Sequence, residues 1–174
     1  MRKFRSQSAN LLAFATLLTA HCGYACAQQS TAATYADWVL QCADEAGPPP
    51  KKTCEIAQVT RVQGMNIPFS RVAVEAPLKG QPVKLIVQLP VNVSLESQVG
   101  IQTADADPGI SAPFGRCTSA GCFAEFELND KTLNKFYASE GAGKVTFKDA
   151  GGGEIGIPLS FNGFRQAFDA LSKE

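Results

Sequence analysis

From residue 38 onward, apolar and polar residues alternate with a period of two. Trp38, Leu40 and Cys42 share one face of a first strand. Val83, Leu85, Val87 and Leu89 share one face of another, with Lys84 and Gln88 opposite. After Pro90 the alternation runs on through Val91, Val93 and Leu95. Cys122, Ala124, Phe126 and Leu128 alternate with Glu125 and Glu127, and Ile155, Ile157, Leu159 and Phe161 with Gly156 and Ser160. Val72 with Val74, Val99 with Ile101, and Val145 with Phe147 fit shorter strands. Turn residues separate these runs: Gly47-Pro48-Pro49-Pro50, Gly64, Gly80, Asp107-Pro108-Gly109 and Gly151-Gly152-Gly153. Many short alternating strands between turns predict an all-β fold, mostly an antiparallel β-sandwich or a jelly-roll-like barrel.

Two segments change period. Asp130 can cap a short helix near residues 131–139, with Leu133, Phe136 and Tyr137 on one side and Gly141 as its stop. Asn162 can cap a second, C-terminal helix near residues 163–172, in which Phe164, Ala167, Phe168 and Leu171 fall at i, i+3, i+4 and i+7. That stripe reads as a face packed on the strands.

The first 27 residues read as a cleavable export signal. Arg2, Lys3 and Arg5 are its positive start, Leu11 to Ala20 its apolar run, and Ala25-Cys26-Ala27 its small-residue cleavage site. The run is about half the length a bilayer-spanning helix requires. A lipid anchor on Cys26 is the rival; Ala25 suits it, but Gly23 stands where a branched apolar residue is expected. Residues 28–35 are small and polar and predict a disordered mature N-terminus, leaving 36–174 as a single β domain. The expected location is the periplasm, with outer-membrane association or secretion as further destinations. Without the signal, thirteen basic residues face sixteen acidic ones. This mildly acidic balance carries no footprint for nucleic acid. No later stretch is long and apolar enough to span a membrane, which leaves only peripheral association.

Four cysteines remain after cleavage and formally allow three pairings. Spacing favours Cys42 with Cys54 and Cys117 with Cys122. A zinc site would want tighter Cys-x-x-Cys knuckles, and an oxidising compartment favours disulfides. Each would stabilise the fold by roughly 2–3 kcal/mol in the chain-entropy model.

Motifs that look chemical fail on mechanism. The single histidine, His21, lies in the signal, so the mature chain lacks the usual general base and the commonest transition-metal ligand. Glu125 and Glu127 form a carboxylate pair on the outward face of a strand, where solvation is the simpler reading. Gly151-Gly152-Gly153-Glu154-Ile155-Gly156 matches G-x-G-x-x-G by letter, yet a strand follows it and Pro158 blocks a helix. Gly143-Lys144 lacks the first glycine and the Ser/Thr of a phosphate loop, since Ala138 and Val145 stand there. Asp105-Ala106-Asp107 resembles the start of a calcium loop, but Arg116 occupies the position of its bidentate Glu. No catalytic, metal or cofactor residues are expected.

Three blocks together resemble the invasion-associated locus B family of bacterial envelope proteins. They are Trp38-Val39-Leu40-Gln41-Cys42 with Cys54 and Ile56; Pro113-Phe114 leading to Cys117 and Gly121-Cys122-Phe123-Ala124; and Pro158-Leu159-Ser160-Phe161-Asn162-Gly163-Phe164 with Ala167 and Leu171. The resemblance implies an exported, disulfide-stapled, mostly β protein of the Gram-negative envelope, some relatives of which contribute to invasion of host cells. It implies no catalytic mechanism and no ligand residues. The leading expectation is a non-enzymatic protein whose partner is an unidentified envelope or host-cell protein. A periplasmic small-ligand carrier and a histidine-free enzyme are the alternatives. For the binding surface, Pro113, Phe114, Gly115 and Arg116 are the candidates, read as a rigid loop before the second staple that combines an aromatic with a guanidinium.

Overall fold

The computed structural model describes residues 30–45, 47–49, 51–64, 68–76 and 80–174; the export-signal reading of residues 1–27 lies outside them. Ten strands and two helices follow in the order β1 (Ser30–Tyr35), β2 (Trp38–Glu45), β3 (Lys51–Arg61), β4 (Pro68–Glu75), β5 (Val83–Leu89), β6 (Gln98–Gln102), β7 (Ile110–Thr118), β8 (Gly121–Leu128), α1 (Asp130–Ala138), β9 (Ala142–Lys148), β10 (Glu154–Ser160) and α2 (Phe164–Leu171). All strand pairs are antiparallel, and the hydrogen-bonded order is β1-β2-β3-β4-β5-β8-β7-β6-β9-β10. The fold is mostly antiparallel β with two helices, as the alternating pattern predicted, and its ten strands form one sheet that curls into a half-barrel.

β7 makes the corner. Its first half, Ile110–Pro113, pairs with β6, and its second, from Phe114, pairs with β8. One continuous core fills the curl. β5 gives it Leu85, Val87 and Leu89, β8 gives Ala124 and Phe126, β9 gives Val145, and α2 gives Phe164 and Leu171. The curl closes without a strand pair, because side chains bridge its seam. Trp38 Nε1 donates to the Ser160 carbonyl at 2.9 Å, and the Gln58 amide holds both the N–H and the C=O of Ser160. Over this seam sits an aromatic cluster in which Trp38 meets Phe164 edge-on at 5.1 Å and Phe136 meets Phe161 at 4.9 Å.

Beyond β7, the structure corrects five expectations. Ser30–Tyr35 is an ordered strand rather than a disordered tail, because Ala33 and Tyr35 pack on the core. The run Val91, Val93, Leu95 is no strand: after Pro90 only Val93 is buried, forming an isolated bridge to Asp149, while Val91 and Leu95 are exposed. Asn129, not Asp130, caps α1, its side chain accepting from the Thr132 N–H at 2.9 Å. The helix then stops at Ser139 rather than Gly141. Gly163 takes the cap position of α2 in place of Asn162. Its φ of 82° is left-handed, and a Cβ there would sit 2.2 Å from the Tyr35 carbonyl oxygen.

β3 escaped the sequence reading because both of its faces are covered. Glu55 accepts from Gln41 and pairs with Arg71 across β2, β3 and β4. By register this link runs diagonally over Ala57 and Ala73, which are both buried although they face outward. Alternation is lost where the outer face is roofed.

Candidate functional site

Pro113, Phe114, Gly115 and Arg116 lie inside strand β7, not in a loop. The irregularity read as a turn is a β-bulge. Phe114 pairs with Ala124 and Arg116 with Phe123, leaving Gly115 without a partner on β8. In a regular strand residues two apart share a face. The extra residue breaks that rule, so Phe114 turns inward against the core while Arg116 turns outward. It also brings Cys117 opposite Cys122, where the two form a disulfide across a Cα–Cα distance of 4.0 Å. Pro113 stays exposed at the corner, paired with Gln98 at the start of β6, a position that tolerates proline.

Two residues join this site that sequence reasoning had not included. The Arg116 guanidinium lies over the Phe123 ring at 4.9 Å and pairs with the Glu125 carboxylate at 2.7 Å. A signal was present: Phe123 is a large aromatic at an outward position of β8, where the pattern otherwise places glutamates. The tip beyond is anchored, since the Ala120 carbonyl accepts from Gln88 Nε2 at 2.7 Å and the Ala120 N–H donates to Thr118 Oγ1 at 3.1 Å. The site is thus a pinned β-ribbon presenting a proline, an arginine stacked on an aromatic, and a carboxylate. Such an array can bind a surface, and it holds no proton-transfer pair or nucleophile.

Cys42 and Cys54 face each other across β2 and β3 and are also bonded. Their sulfurs group with the Glu174 carboxylate within 4.8 Å, but oxidised sulfurs offer no thiolate to a metal. The groove beside them, about 630 Å³, is open and lined by Lys51, Lys52, Glu45, Glu55 and Glu75 among others.

The remaining motifs resolve into architecture. Gly151–Gly153 form the β9–β10 turn, where Asp149 accepts from the N–H groups of Gly151 and Gly153 at 2.9 and 2.8 Å. Gly143 lies within β9, and a Cβ there would sit 2.1 Å from the Gln102 carbonyl oxygen, so strand contact explains it. Asp107 anchors its turn. Its side chain is only 6% exposed and accepts from Thr103 N at 3.0 Å, Thr103 Oγ1 at 2.8 Å and Gly109 N at 2.9 Å, besides pairing with Lys135. Burial pushes the carboxyl pKa up, but the Lys135 ammonium and these hydrogen bonds outweigh it and hold the group well below the usual carboxylate range. Among the described residues no helix is long and apolar enough to cross a membrane.

The family model for the Invasion associated locus B (IalB) protein matches residues 38–172. None of the curated proteins compared with the chain matches it. The fold is similar to the crystal structure of invasion associated protein B from Bartonella henselae, with a TM-score of 0.69 and 21% sequence identity. That likeness covers 82% of this chain and 95% of the other.

Proposed function

Because the chain belongs to the invasion associated locus B family, we propose that it is an exported, non-enzymatic protein of the bacterial envelope that works by binding another protein, there or on a host cell. One observation carries this reading. The bulge at Gly115 turns Arg116 out onto Phe123 and Glu125, at the end of a ribbon that the Cys117–Cys122 disulfide pins. Arginine and aromatic residues on a rigid scaffold are the types that concentrate binding energy, and pre-organisation lowers the entropy lost on association.

The compartment assigned here is oxidising and lies outside the cytoplasm, a reading that two disulfides support. Absence of histidine after residue 21 supports binding over catalysis. A small-ligand carrier would call for an enclosed apolar cavity, whereas the groove beside Cys42 and Cys54 is open and edged with charge.

The test combines Pro113→Ala with Arg116→Glu and cross-links the exported protein in living cells. The variant should melt as the parent does and lose its partner adducts. Unchanged adducts would place the binding surface elsewhere.

A further inference from the structure

The two disulfides differ in what surrounds them. Cys42 and Cys54 are 5% and 7% exposed, and the Glu174 carboxylate lies within 4.8 Å of their sulfurs. Cys117 is exposed near the end of β7, while its partner Cys122 is 1% exposed. Exchange begins when a thiolate attacks one sulfur of a disulfide, so access to that sulfur and the nearby charge decide which bond opens. An attacking thiolate nearing Cys42–Cys54 meets buried residues, and because the Glu174 carboxylate there is paired with Lys52, access rather than charge sets this bond apart. At Cys117 it meets an exposed residue.

We propose that Cys117 is a thiol-exchange site for small, solvent-borne thiols. The thiolate attacks Cys117 Sγ, and a bond between the two sulfurs forms as the Cys117–Cys122 bond breaks. Cys122 leaves with the electron pair and takes a proton from water. One disulfide replaces another, so no external oxidant is consumed. β8 holds Cys122 directly across from Cys117, within reach of any adduct on that sulfur. Cys122 is therefore the resolving thiol, which expels the adduct when the small thiol is withdrawn. Meanwhile the ribbon tip stays tethered through Gln88 and Ala120, so the exchange proceeds without unfolding.

Reduced glutathione is the probe. Native protein is incubated with it, quenched by acid and alkylation, and peptide-mapped over time. A glutathionyl group on Cys117 with a free Cys122 should appear at least about tenfold faster than any opening of Cys42–Cys54. Equal rates, an adduct on Cys122, or no adduct before unfolding would each overturn the proposal. A Cys122→Ser variant separates exchange from resolution. Loaded at Cys117 with oxidised glutathione, it should keep that adduct after the small thiol is removed, whereas the adduct that reduced glutathione forms on the parent is lost. A parent adduct that persists equally would remove Cys122 from the resolving role.

Discussion

Gln58 meets Ser160 as one strand would meet another. Its Oε1 accepts the Ser160 N–H at 2.9 Å and its Nε2 donates to the Ser160 carbonyl at 3.2 Å, across 102 residues of chain. A side-chain amide thus stands in for a backbone amide where β3 and β10 come together without pairing. Gln58→Ala should leave both Ser160 groups without this partner in a half-buried position and cost about 1–3 kcal/mol. Chemical denaturation measures it. A loss under about 0.5 kcal/mol would mean that the remaining bonds from Trp38 and Asp37 hold the seam without it.

Gly163→Ala should destabilise by more than about 1 kcal/mol, since the left-handed φ of 82° is unfavourable for alanine. The new methyl would also press on the Tyr35 carbonyl oxygen, which belongs to backbone and cannot rotate aside. Thermal unfolding beside an Asn162→Ala control separates the two positions. A larger effect at Asn162 would restore it as the cap.

Asp107 gives the fold a definite response to acid. Its carboxyl is held below the usual range, so its contribution is complete above the unfolded value, near pH 4, and is lost as pH falls toward the folded one. Asp107→Asn should be less stable than the parent by about 1–2 kcal/mol at neutral pH, a figure discounted for the exposed Lys135 partner. Denaturation between pH 7 and pH 2 should show that gap closing below about pH 4. A constant gap would assign the effect to packing instead.

Phe168→Ala tests the seating of α2. The ring is 6% exposed and stacks at 6.1 Å from Phe164, with Tyr137 on another side at 5.9 Å. Truncation should cost about 3–5 kcal/mol. A loss below about 1 kcal/mol would show that the helix face is not part of the cooperative core.

How much of this was legible in sequence depended on whether one face of each element was clean. β2, β5, β8 and β10 bury one face and solvate the other, so their alternation could be read directly. Val91, Val93 and Leu95 show the opposite failure. Their apolar letters alternate, but two of the three point to solvent, and the rule counts letters without seeing the core. Both cysteine pairs were readable because each is local in sequence. The Arg116–Phe123–Glu125 group was not, because it depends on register across β7 and β8. Nor was the Gln58 clasp, whose partner lies at the far end of the chain.

Side chains in a strand alternate as odd and even numbers do, and the unpaired Gly115 changes the parity of everything after it in β7. Were Gly115 paired in regular register instead of bulged, Arg116 would fall opposite Cys122 and point into the core, and Cys117 would turn away from Cys122. Identity at 115 matters far less, since a side chain would meet only the Phe123 carbonyl oxygen, at 3.9 Å. Evolution is therefore free to rewrite this position, and deleting it would restore a regular ladder with Arg116 still opposite Phe123 and Cys117 still opposite Cys122. Relatives that keep the second disulfide should vary in composition at the bulge, and those lacking the extra residue should carry a straight β7 with the same outward arginine and the same bonded pair.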